Sequence, residues 1–113
     1  MRDVMKHLQE RPKESRLEVK TARLLRHAKL PEPVTQLVIG PYRVDFAWLR
    51  LRQILECDGF EWHGNRLQWK RDRRRIAAIE AAGWSVMHVT WDDVTQRPDE
   101  TLARVRGALA RAA

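Results

Sequence analysis

Apolar positions in the first third of the chain recur at helical spacing. Leu17, Thr21, Leu24, Leu25 and Ala28 fall on one stripe, with Ser15 ahead of it and Glu18 three residues further on, the spacing of a capping box. This predicts a helix over about residues 16–29, which Pro31 and Pro33 end. From Val34 the period changes. The runs V-T-Q-L-V-I, Y-R-V-D-F-A-W and L-R-Q-I-L-E-C-D are rich in strand formers and are separated by Gly40-Pro41 and Leu49-Arg50, which predicts a three-stranded antiparallel meander. Residues 66–82 read as a long helix with Trp69, Ile76 and Ile79 on its inner stripe and Gly83 at the C-terminal cap. A fourth strand, W-S-V-M-H-V-T, follows, and Pro98 with Leu102, Val105 and Leu109 gives a last helix over about 98–111. The order is αβββαβα, an α/β sandwich around a small mixed sheet.

Composition narrows the class. At 113 residues, 43% hydrophobic and 33% charged, the chain is long enough for one core and too apolar for a disordered basic tail. A single cysteine, Cys57, rules out a disulfide framework or a four-cysteine zinc site and suits a reducing, cytoplasmic setting. The polar N-terminus lacks the apolar core of a signal peptide, and no stretch approaches the roughly 20 apolar residues that span a bilayer, so no membrane partner is expected. Residues 1–14, interrupted by Pro12, read as an arm or the remnant of something upstream, and 15–113 as one domain.

The net charge of +7 is uneven: residues 1–35 carry +4, 36–65 carry −1, 66–75 carry +5 and 76–113 carry −1. A concentrated basic strip fits a polyanion, because each phosphate neutralised by Lys or Arg releases condensed counterions. A solvated helix face is the plainer alternative.

Against this background the acids of the central segment stand out, since Asp and Glu are depleted from strands and rarely buried unpaired. Glu56 and Asp58, two apart, share a face, with Cα atoms about 6.6 Å apart. Asp45 lies mid-strand between Val44 and Phe46, which should face the other way. A turn near Leu49-Arg50 sets Asp45 opposite about Ile54 and diagonal to Glu56, so three carboxylates could converge at one sheet end. Clustered carboxylates call for a hard divalent cation, and Mg²⁺ would fit. The alternative is that these are edge-strand or turn acids, with Asp58-Gly59 forming an ordinary turn.

The motifs D-F-A (45–47), E-C-D-G-F-E-W-H (56–63), W-K-R-D-R-R-R (69–75) and G-W-S-V-M-H-V-T-W-D-D-V (83–94) together resemble the small endonuclease-like domain related to very-short-patch mismatch repair endonucleases. That family lies within the PD-(D/E)XK restriction-endonuclease-like superfamily. The resemblance covers about residues 15–110 and implies an αβββαβ core with a C-terminal helix, a mixed four-stranded sheet flanked by helices. It also implies a DNA-binding, Mg²⁺- or Mn²⁺-dependent phosphodiester hydrolase, in repair or defence, with residues 15–113 as the nuclease domain.

Carried over by position, Asp45 and Glu56 resemble the two metal-binding acids. Asp58 stands where many superfamily members carry a catalytic Lys, which implies a metal ligand or water-orienting carboxylate and leaves the general base unassigned. Glu18 resembles the first-helix acid that completes such sites, against its capping-box reading. His63 resembles a repair-type histidine able to assist proton transfer, against a packed or surface role. Asp72 falls on the inner stripe of its helix among five cations; it could pair with Arg75 or a main-chain donor, or orient His63. Lys70, Arg71, Arg73 and Arg74 would hold the phosphate backbone. Trp62 is the aromatic best placed for nucleic-acid contact, whereas Trp69 and Trp84 suit the core, and so does His88. The rivals are a non-catalytic nucleic-acid-binding or regulatory module, of the kind attached to antitoxin-like segments, and a protein-interaction domain. A monomer or a weak dimer is expected.

Overall fold

A computed structural model describes residues 12–58 and 66–113. Its elements are α1 (Pro12–His27), β1 (Val34–Ile39), β2 (Tyr42–Trp48), a 3-10 turn (Leu49–Leu51), β3 (Gln53–Cys57), α2 (Arg66–Ala81), β4 (Ser85–Val89), α3 (Trp91–Gln96) and α4 (Pro98–Ala112). The strands form one mixed sheet in the order β1-β2-β3-β4. The first three are antiparallel and β4 runs parallel to β3, with α2 as the crossover.

Local chemistry explains the punctuation. Helix α1 already includes Ser15, so Ser15 is not its N-cap and the helix starts earlier than the expected residue 16. At its other end Lys29 takes the left-handed conformation (φ 59°), and Leu30 N–H returns to Leu25 O at 3.2 Å, a Schellman closure sealed by Leu30 packing on the core that holds Leu25. Gly83 does the same for α2 at φ 100°, with Trp84 N–H reaching Ile79 O at 3.4 Å. Helix α3 is additional to the elements that periodicity predicts. It begins with a capping box in which Thr90 and Asp93 exchange hydrogen bonds of 2.9 and 3.1 Å. Burial alone would raise the Asp93 carboxyl, but the Thr90 donors, Arg97 and Arg104 hold it below its ordinary value.

Two apolar layers sandwich the sheet. On one face Leu17 and Leu25 of α1, Val94 of α3 and Val105 and Leu109 of α4 pack against Phe46, Trp48, Leu55, Cys57 and Val89. On the other, Ile79 of α2 packs against Val44, Ala47 and Ile54. Strand β3 is buried along its whole length, as expected of a strand covered on both faces.

Two features of β2 depart from the sequence expectation, and both bear on Asp45. Val44 and Phe46 lie in opposite core layers instead of sharing a face. The β1–β2 ladder passes from Leu37↔Val44 to Thr35↔Phe46, and Gln36 between them has φ 54°, so the pleat breaks where Asp45 sits. In addition, the β2–β3 turn occupies Leu49–Leu51 and then Arg52 at φ 53°. This centres it later than Leu49-Arg50. Ile54 therefore pairs with Ala47 and Leu55 with Phe46, and Asp45 comes level with Glu56 instead of Ile54.

Candidate functional site

Asp45 and Glu56 lock together across the β2–β3 seam. Asp45 N–H donates to Glu56 Oε2 at 3.0 Å, and Cys57 N–H donates to Asp45 Oδ2 at 2.8 Å. At this point the carboxylates take the amides that a regular ladder would have paired, which explains how two strand acids are tolerated at the edge of the core. Glu56 is only 7% exposed and carries a second partner: its Oε1 forms an ion pair with Arg75 Nη2 from α2. Arg75 Nε also reaches Asp72 Oδ1 at 3.3 Å. Burial opposes the charge on Arg75, but Glu56 and Asp72 more than compensate and hold the guanidinium above its ordinary value.

Glu18 approaches the same region from α1. Its Oε2 accepts a 2.6 Å hydrogen bond from Gln36 Nε2, on the β1 residue that stands beside the break at Asp45. This contact, with Ser15 inside the helix, removes the capping-box reading of Glu18. The buried thiol of Cys57 lies between these acids: burial pushes it up, its hydrogen bond to Thr21 Oγ1 at 3.5 Å lowers it, and the charges of Asp45, Glu18 and Glu56 raise it further. Cys57 is therefore a neutral packing group rather than a thiolate nucleophile.

Asp58 follows β3, and its N–H donates to Val89 O at 2.8 Å. The expected convergence of Asp45, Glu56 and Asp58 on one ion is not observed: among the described residues no three His, Cys, Asp or Glu side chains are grouped to hold a metal. The structure brings together two carboxylates and a guanidinium. His63 and Trp62 lie outside the described residues. His88 is partly buried and takes the register position beside Glu56 on β4.

The basic strip lies on α2, where Lys70, Arg71, Arg73 and Arg74 are all exposed. Trp69 does not join the core. It is 44% exposed, and the Arg73 guanidinium lies 5.2 Å from its ring centroid. Leu67 is also exposed, so the helix is anchored through Ile79 and presents its first turns to solvent. Trp84, by contrast, packs at the margin of the core as expected. On the other side of the sheet, Arg16 and Lys20 of α1 lie 5.9 and 5.8 Å from the Trp91 ring.

Arg75 is the site residue that the sequence places incompletely. It is visible there as a partner for Asp72 three residues earlier, but nothing in the R-R-R run marks which arginine turns inward to Glu56.

A family model matches residues 17–109, which include Asp45, Glu56, Asp72 and Arg75. The chain belongs to the restriction-endonuclease-like family REase_MTES_1575. Among solved structures, the catalytic domain of the homing endonuclease I-Bth0305I is similar in fold, with a TM-score of 0.68 over 84% of this chain and 94% of that domain at 17% identity. Two Mycobacterium tuberculosis proteins, MT2308 of strain CDC 1551 and Rv2248 of strain H37Rv, are each 37% identical over 71 residues. That is 63% of this chain and 26% of theirs, so the match spans about a quarter of the length of these relatives. The αβββαβ core with a C-terminal helix is thus the fold of a REase_MTES_1575 domain, and its character is nuclease-like.

Proposed function

We propose that this domain is a Mg²⁺- or Mn²⁺-dependent endodeoxyribonuclease of the cytoplasm, acting in DNA repair or defence. The observation that carries this reading is the pair of hydrogen bonds across the β2–β3 seam, Asp45 N–H to Glu56 Oε2 and Cys57 N–H to Asp45 Oδ2, which ties both carboxylates to that seam. The donor set suits Mg²⁺: hard oxygen ligands from one or two carboxylates, completed by water and substrate phosphate, are its usual protein environment. Asp45 and Glu56 would hold the ion, with Asp58 and Glu18 as further acids at the rim. The cation would supply charge stabilisation at the phosphoryl and leaving oxygens.

The protein's own side chains do the rest. Lys70, Arg71, Arg73 and Arg74 neutralise backbone phosphates and fix the duplex in register without reading bases. Trp62 contacts the nucleic acid, and His63 assists proton transfer, imidazole being the side chain whose charge changes most readily near neutrality. Asp72 holds Arg75 in place.

Incubation of supercoiled plasmid with the domain in Mg²⁺, in Mn²⁺ and in EDTA tests the reading. Nicking with either ion and none in EDTA is the expected result. DNA retention without nicking in any metal would instead favour a non-catalytic binding module. The basic strip has its own test: the triple variant Arg71→Ala, Arg73→Ala, Arg74→Ala is expected to bind DNA more weakly. Its salt dependence, read from log K against log salt, should be shallower by about 0.9 for each phosphate that the variant no longer neutralises. An unchanged slope would remove these residues from the interface.

A further inference from the structure

Arg75 does more than fill space beside Glu56. Its guanidinium forks between two acids, Nη2 on Glu56 and Nε on Asp72, while Nη1 is buried with no hydrogen-bond partner among the described residues. An arginine has five donors and no acceptor, and a buried donor left unpaired costs free energy, so the guanidinium holds this position through its two acid anchors at the expense of one buried donor. The charges differ in kind as well: Glu56 is buried on a strand, whereas Asp72 is one helical turn from Arg75 on the same helix and about a third exposed. A divalent cation held by Asp45 and Glu56 would meet the Arg75 charge on the same carboxylate, and like charges at that separation repel strongly in a partly buried site.

We propose that Arg75 is a built-in counter-cation: it neutralises Glu56 in the ion-free protein and, retaining Asp72 as its anchor, releases Glu56 when a divalent cation binds. The arrangement protects a buried carboxylate from being left unpaired when no metal is present, and it weakens the intrinsic affinity of the site for free ions. Ion binding is thereby coupled to whatever draws Arg75 away, and a DNA phosphate is the anion at hand. The inference rests on the carboxylate pair being a metal site.

Calorimetric titration of Mn²⁺ into the purified domain without DNA tests it, since the readout is binding and not cleavage. Arg75→Met is expected to bind Mn²⁺ at least about tenfold more tightly than wild type, because the competing charge is gone. Asp72→Asn is expected to bind about threefold or more weakly, since Arg75 then has Glu56 as its remaining acid partner among the described residues. In the Arg75→Met background Asp72→Asn should have no further effect, which separates an action through Arg75 from direct ligation by Asp72. Equal or weaker binding by Arg75→Met, with binding still abolished by Glu56→Gln, would overturn the counter-cation while leaving the metal site standing. No Mn²⁺ binding by any variant would remove both. Asp72→Asn alters a partly exposed pair and keeps the fold, so unchanged affinity in that variant alone is enough to overturn the proposal if Arg75→Met does not fold.

Discussion

Asp45→Asn is expected to lower metal-dependent plasmid nicking by about 100- to 10,000-fold while leaving the fold intact, the range that losing several kcal/mol of charge stabilisation implies. The substitution is chosen on geometric grounds. Asp45 Oδ2 accepts the Cys57 N–H, and an asparagine carbonyl can accept the same bond, so the β2–β3 seam is preserved while the negative charge is removed. Glu56→Gln is the less clean variant. Its amide would have to present an NH₂ either to the Asp45 N–H or to the Arg75 guanidinium, both donors themselves. Unchanged melting temperature with lost nicking is the expected pair of results for Asp45→Asn. Nicking that persists at the wild-type rate would sink the assignment of Asp45 to the site.

The element order is legible in the sequence because each element carries its own period and its own stop signal. The Leu17–Ala28 stripe, the turn at Gly40-Pro41, Gly83 and Pro98 all mark boundaries through local chemistry that tertiary contacts do not override. Asp45 and Glu56 are legible as candidates for a related reason: a carboxylate in a strand has to be explained by a partner. Their pairing is not. The register depends on which residues the turn consumes, and Leu51 with Arg52 in a left-handed conformation extends the turn by two residues beyond the visible Leu49-Arg50 break. That small change moves Asp45 from a diagonal to a facing position. Trp69 reads as a core residue but is not one, because α2 is a crossover helix whose first turns run past the layer it covers, so its apolar stripe reaches the core only near Ile79. The same overhang leaves the basic strip exposed for a polyanion. Arg75 escapes because the helical period assigns a direction to each arginine but says nothing of the acid on a distant strand that one of them will meet.

The largest loss of stability is expected for Glu56→Ala. The substitution removes the acceptor for the Asp45 N–H and the ion-pair partner of Arg75 in one step. Removing one member of a buried ion pair costs about 3–5 kcal/mol, because the other charge stays behind unpaired. Arg75 is partly accessible and still has Asp72, with its side chain 22% exposed, so the lower end, about 3 kcal/mol, is expected. Against a total stability of about 5–15 kcal/mol for an ordinary domain, that is enough to shift urea unfolding far toward lower denaturant. The double variant Glu56→Leu, Arg75→Met should recover most of the loss, since apolar groups of similar volume relieve both charges of their desolvation. Recovery would mean that the ion pair is kept for what it does at the site and not for the stability it lends the sheet. A double variant as unstable as Glu56→Ala would instead make the pair a structural requirement of the β2–β3 seam.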